Sequence, residues 1–447
     1  MTLFEQVRPL TGNPARHAWG AALAIGLVAT SHLAAGPASA APGGRSALAL
    51  SDAQRATALA DVEKLIAANY VFKELRAPIV AMLQASMAAH RYDVVDPQLF
   101  ATRVTEDLQA ISHDGHLYLD SDPGEYAAAL APAKSDSGLE AYRRALAVRE
   151  HYGLTETAIL PGNIRYLKIT GFKWVAGGAT EKVYDEAARF LADGDATIVD
   201  LRGNGGGVSN AADYFMKVIV RSGVAKAAVV DPQSHKPFYI LVDGFVGSAA
   251  EAVTYGAQVE KRATIVGTTT YGAANNNKRF PVAPGFILSV SYNRPINPIS
   301  RTNWEGVGVV PDLKIDSSLA SEAAQIDALD RLAKRPGESA DRLADYRWRR
   351  TYLEGRLHPV TVDAETMRAA AGTYGPIELR YSEAGLRFYR PDRPHWPQGL
   401  LLQPLSDSGV YALEGDDIRI RFTADGLELV RPGDGAPEPF KREKVPG

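Results

Sequence analysis

Cysteine is absent from the 447 residues. That excludes a disulfide framework, a Cys-ligated zinc or iron–sulfur site and a thiol nucleophile. Neither sign of charge dominates: 49 Lys and Arg stand against 52 Asp and Glu, a net charge of −3. Such a balance leaves no electrostatic footprint for nucleic acid or an anionic membrane. Long apolar runs are scarce. One spans residues 18–35, softened by Thr30, Ser31 and His32, and no second stretch is long enough to span a bilayer. Two glycine signatures are also missing. Around Ser248, Val246 and Ala250 take the places of the glycines in G-x-S-x-G, which disfavours an α/β-hydrolase elbow. In the glycine stretch after Leu201, Val208 takes the place of the third glycine in G-x-G-x-x-G, which disfavours a dinucleotide loop.

What is present reads as an exported globular chain. Hydrophobic residues are 46% and charged residues 23%, the mix of a protein with a sizeable core. Length alone suggests about three domains. Arg8 and Arg16 precede the apolar run, and Ala38-Ser39-Ala40 follows it. This is the pattern of a removable signal peptide over 1–40, cleaved after Ala40, with an uncleaved anchor as the alternative. The expected location is periplasmic or secreted.

The rest divides by periodicity. Residues 41–130 read as an N-terminal helical domain, with Leu59, Val62, Leu65 and Ile66 on one face of its first helix. From Gly162 strands and helices alternate, which predicts a layered α/β core over 131–318. A polar, Arg-rich stretch at 319–356 reads as a helical linker. Alternating apolar residues after 357, with the hairpin signal Asp425-Gly426, predict a small antiparallel β domain to 447.

Two segments invite chemistry. Ser248 falls at the first turn of a helix that follows the strand Phe238–Val242, where a developing oxyanion meets unpaired N–H groups and the positive end of the helix dipole. The structural alternative is a cap, since Ser248-Ala249-Ala250-Glu251 spells a capping box. Gly203-Asn204-Gly205-Gly206-Gly207 follows a buried strand and precedes a helix. Consecutive glycines let backbone N–H groups turn toward an anion, though a tight strand-to-helix turn has the same composition. His113 and His116 form an H-x-x-H pair without an evident third metal ligand, so no metal and no cofactor is expected.

Four landmarks occur in order: Asp114-Gly115-His116, Asp200-Leu201-Arg202-Gly203-Asn204-Gly205-Gly206, Ser248-Ala249-Ala250-Glu251, and Trp304-Glu305-Gly306-Val307-Gly308-Val309-Val310-Pro311-Asp312. The set resembles the tail-specific, or carboxyl-terminal processing, serine proteases over roughly 50–315. Within them it is most similar to the branch of the tricorn core and the interphotoreceptor retinoid-binding repeats. The resemblance implies a crotonase-like (ClpP/crotonase) core that cleaves peptide bonds in a polypeptide substrate. In the processing branch the base is a Lys; the aligned position here is Ala273, within Gly267-Thr268-Thr269-Thr270-Tyr271-Gly272-Ala273-Ala274. In the tricorn-like branch the base is a His held by a late carboxylate, and the matching residues are His116 and Glu305. The implied triad is Ser248, His116 and Glu305, with Gly206 and Ala249 N–H groups as the oxyanion hole and Gly205, Gly207 and Tyr271 lining the substrate. Asp114 would orient the His116 loop. The stretch between His116 and Gly162 is too short for the PDZ module common in processing proteases. The tail after 357 loosely resembles lipocalin-like tails behind some secreted hydrolases. Two readings compete: a catalytically silent binder of apolar ligands or peptides on the same fold, and an acyl-CoA crotonase enzyme, which the export signal disfavours.

Overall fold

Helix and strand boundaries follow local chemistry. In chain order the first elements are α1 Asp52–Asn69, α2 Lys73–Ala88, α3 Pro97–Ser112, β1 Tyr118–Ser121, α4 Pro123–Leu130 and α5 Gly138–Arg149. Then come β2 Leu154–Leu160, β3 Ile164–Ile169, α6 Ala179–Ala192, β4 Ala196–Asp200, α7 Ser209–Phe215, β5 Phe238–Val242, α8 Ser248–Val259 and β6 Thr264–Gly267. They are followed by β7 Asn276–Val282, β8 Phe286–Asn293, β9 Leu313–Lys314, α9 Ala320–Ala333, α10 Ala340–Leu357 and α11 Ala364–Ala370. Eight strands, β10 to β17, run from Gly372–Tyr374 to Glu438–Lys441. This computed structural model describes residues 49–130, 138–221, 236–392, 397–406, 409–413, 418–433 and 436–443. The expected signal peptide and its cleavage site lie outside the described residues. No helix among the described residues is long and apolar enough to cross a membrane.

The chain divides into two compact units. The first holds α1 to α4, β1, and most of β7 and β8. Ser51 caps α1 in a reciprocal pair with Gln54, and Asp96 caps α3 ahead of Pro97. β1 pairs antiparallel with β8, Tyr118 opposite Ser289 and Ser121 opposite Phe286. Leu59, Ile66, Phe100 and Val104 of the helices bury their side chains with Leu117, Leu119, Phe286 and Leu288. Fully burying each such side chain contributes about 1.5–3 kcal/mol.

The second unit is built on a six-stranded sheet in the order β2-β3-β4-β5-β6-β9, antiparallel at β2 and parallel from β3 onward. Every residue of β4 and β5 is buried, as a parallel strand covered on both faces requires. One face packs Leu167, Val199, Ile240 and Ile265 against α6, α7 and α8. The other packs Ile198, Tyr239, Leu241 and Val266 against Ala324, Ala328, Leu329 and Leu332 of α9. The stretch at 319–356, read from its charges as a linker, thus supplies one wall of the core. Its charge sits on outer faces, where Arg350 pairs with Asp330 and Glu354. Strands β10 to β17 form an antiparallel meander with Ile377, Leu379, Phe388, Leu413 and Leu429 inside. The Glu443 N–H donates to the Thr373 carbonyl at 2.9 Å, tying the last strand to the first in a barrel-like sheet.

Candidate active site

Both glycine-bearing turns leave the carboxyl ends of adjacent buried strands, the usual place for a site in an open α/β sheet. β5 ends at Val242. Asp243 then accepts the N–H groups of Phe245 and Val246 at 2.9 and 3.1 Å, which tightens the turn into α8. The N-cap is Gly247. Ser248 has φ +51°, a left-handed conformation that costs a non-glycine residue about 1–3 kcal/mol. Its hydroxyl makes no hydrogen bond among the described residues, so it is not spent on capping. The capping-box alternative survives by half: Glu251 Oε2 accepts the Ser248 N–H at 3.0 Å.

Glu251 does more than the box asks of it. It is fully buried, and its Oε1 also accepts Thr270 Oγ1 at 2.5 Å and the Gly272 N–H at 2.6 Å, while Oε2 accepts the Ala273 N–H at 2.8 Å. Burial pushes its pKa up, and these four donors pull it back. The carboxylate therefore ties the serine turn to the stretch 270–273.

β4 ends at Asp200, which is also fully buried. It accepts Tyr166 Oη at 2.7 Å and Arg202 Nε and Nη2 at 2.9 and 2.6 Å, and Arg202 Nη1 reaches the Ser317 carbonyl at 2.6 Å. Burial alone would raise the Asp200 pKa; Arg202 and Tyr166 hold it below the usual carboxylate range. The glycine turn starts from this anchored end. Its Phe172 neighbour donates to the Gly206 carbonyl at 2.8 Å and accepts the Val208 N–H at 2.8 Å.

Gly206 has φ +107°, and a Cβ there would fall 2.8 Å from Ser248 Cβ and 2.9 Å from Ala249 N. The glycine turn and the serine turn thus touch. The Gly206 N–H donates to Asn204 Oδ1 at 2.9 Å. The Ala249 N–H has no acceptor among the described residues. We expect Gly206→Ala to lower the melting temperature by several degrees, because at φ +107° the added methyl group meets Gly247 O at 2.8 Å and Ala249 N at 2.9 Å, both backbone atoms. An unchanged melting temperature would show that the close approach is not needed.

The third group of residues joins the loop before β1 to the turn at 303–308. Asp114, His116 and Glu305 bring a ring nitrogen and carboxylate oxygens within 4.8 Å of one another. His113, the C-cap of α3, is not part of this set, so the H-x-x-H spacing is not what forms it. Glu305 Oε2 accepts the N–H groups of Ala274 and Asn275 at 2.6 and 2.7 Å. Its pKa is pushed up to about 7, first by burial and then by the charge of Asp114, against backbone hydrogen bonds from Asn275, Ala274 and Gly115. Burial pushes His116 down, partly offset by Asp114 and by a hydrogen bond to the Asn275 carbonyl. Those donors could also hold a divalent cation, and the two backbone N–H groups take up only Glu305 Oε2.

The stretch 270–275 links the two halves. At one end Glu251 holds Thr270, Gly272 and Ala273; at the other Glu305 holds Ala274 and Asn275. The Tyr271 N–H donates to the Val246 carbonyl at 2.9 Å, and a Cβ on Gly115 would fall 2.6 Å from Tyr271 Cε1. Ala273, at the position of the lysine base in the other branch, is a buried methyl group 3.4 Å from that same Cβ position. Gly205 and Gly207 flank Gly206 in the turn, and Tyr271, exposed, lies against Gly115. The structure thus joins Ser248 to Gly206 and Ala249, and His116 to Glu305 and Asp114. It places no hydrogen bond between the Ser248 hydroxyl and the imidazole. Asn275 carried no signal in the sequence, because its role lies in side-chain geometry, and Asn204 was visible only as a member of the glycine turn. Glu251 was visible only as a cap.

A serine at a helix start, an imidazole and a carboxylate in one α/β unit are the residue types with which serine hydrolases work. Comparison narrows this class. Residues 163–315 match "Peptidase family S41", and 45–145 match "N-terminal domain of Peptidase_S41 in eukaryotic IRBP". Together these matches take in more than half of the chain, which belongs to peptidase family S41. A carboxy-terminal-processing protease of Bartonella bacilliformis is 26% identical over 181 residues, 35% of this chain and 40% of that protein. The match thus spans well under two thirds of that relative. The photosystem II D1 C-terminal processing protease is similar in structure with 14% identity and TM-score 0.36, covering 60% of this chain and 95% of that one. The tricorn protease gives 15% identity and TM-score 0.37, covering 59% and 34%.

Proposed function

We propose that this chain is a serine-type endopeptidase, secreted or periplasmic, that cleaves polypeptides through an acyl-enzyme. One observation carries the reading: Ser248, left-handed and without a hydrogen bond on its hydroxyl, is bridged by residues 270–275 to His116 and Glu305. His116 takes the Ser248 proton as Oγ bonds to the scissile carbonyl carbon. The imidazolium then protonates the leaving amine as the C–N bond breaks, and water releases the acyl group by the same steps in reverse roles. Glu305 stabilises the imidazolium. Ala249 N–H holds the oxyanion, joined by Gly206 when its N–H leaves Asn204. Gly205, Gly207 and Tyr271 face the substrate. Catalytic hydrogen bonds of this kind often form only when substrate binds.

The proposal extends to the organisation of the chain: a leader over 1–40, a helical domain over 41–130, a crotonase-like catalytic core over 131–318, and a lipocalin-like β domain over 357–447. A fluorophosphonate probe tests the central claim. Covalent labelling of the full chain is expected, with labelling lost in Ser248→Ala. A chain that stays unlabelled while folded, or a labelled Ser248→Ala, would favour the silent binder on this fold.

A further inference from the structure

Asn275 makes no bond in the proposed chemistry, yet it joins two of the carboxylates around the imidazole. It is 1% exposed. Its backbone N–H donates to Glu305 Oε2 at 2.7 Å, and its Nδ2 donates to Asp114 Oδ2 at 3.2 Å. Asp114, also 1% exposed, accepts the His116 backbone N–H on Oδ1 at 2.9 Å. The contacts form a chain. Asp114 holds the backbone of His116 and the amide of Asn275; Asn275 holds the carboxylate of Glu305.

We infer that Asn275 and Asp114 form a clamp that fixes the place of the His116 loop relative to Glu305. The inference rests on the reading of His116 as the base. Both are positioning residues. Asp114 holds the backbone that carries the imidazole, and Asn275 holds the carboxylate that faces it, so the bond between their side chains sets the distance between base and anion. Misplacing a reacting group by about 1 Å costs roughly 10²-fold in rate.

The experiment follows phosphonylation of the full chain by a fluorophosphonate, separating its limiting rate from its half-saturating concentration, across pH. The variants are Asn275→Ala, Asp114→Asn, and the exchange Asp114→Asn with Asn275→Asp, each checked by circular dichroism. Each single variant is expected to lose about 10–100-fold in limiting rate, with half-saturation within about threefold of wild type. The charged groups facing the imidazole are Asp114 on its own loop and Glu305 on the 303–308 turn. Asp114 raises the proton affinity of both His116 and Glu305, so its neutralisation moves the acid limb to lower pH. The exchange variant keeps a hydrogen bond between the two side chains with donor and acceptor reversed, and should recover at least about tenfold over the weaker single variant.

Single variants within twofold of wild type, or an acid limb that stays put with no recovery in the exchange, would overturn the clamp. If Asp114→Asn does not fold, Asn275→Ala decides, because it leaves the buried carboxylate in place. Phosphonylation that depends on Ser248 with unaffected clamp variants ends this inference alone. Phosphonylation that survives Ser248→Ala ends the peptidase reading with it.

Discussion

His116→Ala is expected to lower peptide hydrolysis at least about 10⁴-fold while KM changes little. On the proposed mechanism His116 is the base, and its loss removes an interaction made only in the transition state. The remaining rate would come from the oxyanion donors and binding alone. The wild-type pH profile belongs to the same prediction. Burial lowers the His116 pKa, so the imidazole is already neutral, and competent as a base, as pH approaches neutrality. Glu305 is pushed up to about 7, so it becomes an anion only above that pH. An imidazolium formed in the transition state is best stabilised by the anion, so activity should fall as pH drops through about 7. An unperturbed glutamate would put that limb near 4.3. Residual activity above a tenth in the variant, or an acid limb near 4, would remove His116 or Glu305 from the triad.

Glu251→Gln should be nearly as severe by another route. All four hydrogen bonds to this side chain arrive as donors, and a carboxylate accepts all four. Glutamine turns an amide NH₂ toward two of them. Leaving those buried donors without an acceptor costs about 1–3 kcal/mol each. The local effect exceeds the global one. Ser248 loses its backbone anchor, and the stretch 270–275 loses its register with the serine turn. A fall of about 10²-fold or more in kcat is expected, together with a stability loss of about 3 kcal/mol in urea unfolding. Thr270→Val removes one of the four donors but leaves the Val309 N–H without the Thr270 Oγ1 acceptor it meets at 2.7 Å, so it should be milder than Glu251→Gln without being neutral. A Glu251→Gln chain with wild-type kcat would reduce Glu251 to an ordinary cap.

These expectations rest unequally on sequence and structure. The order of β4, β5 and α8 was readable because buried parallel strands are continuous apolar runs and the helix that follows them is periodic. The order of four short motifs sufficed to select the family. The place of α9 was not readable. Its alanines are small and its charges many, so its pattern is that of a solvated helix, although Ala320, Ala324 and Ala328 lie in the core. The state of Gly206 was hidden for a different reason. Glycine-rich sequence tells that a backbone can turn, and only Asn204 decides where its N–H points. The link between His116 and Ser248 through residues 270–275 joins positions more than a hundred residues apart, which no local pattern encodes.

The route of the chain through the first unit carries a consequence for synthesis. That unit takes residues up to His113, then 117–131, then 278–290. Phe286, Leu288 and Val290 share its core with Phe100 and Leu108. A growing polypeptide therefore cannot finish its amino-terminal unit until residue 290 has emerged, long after the helices are available. Contacts of such separation close slowly. Meanwhile the apolar faces of α1 and α3 stay open to solvent and to other chains. A chain built this way gains from being held extended until its whole length has been delivered, and the amino-terminal helices by themselves do not make a separable module.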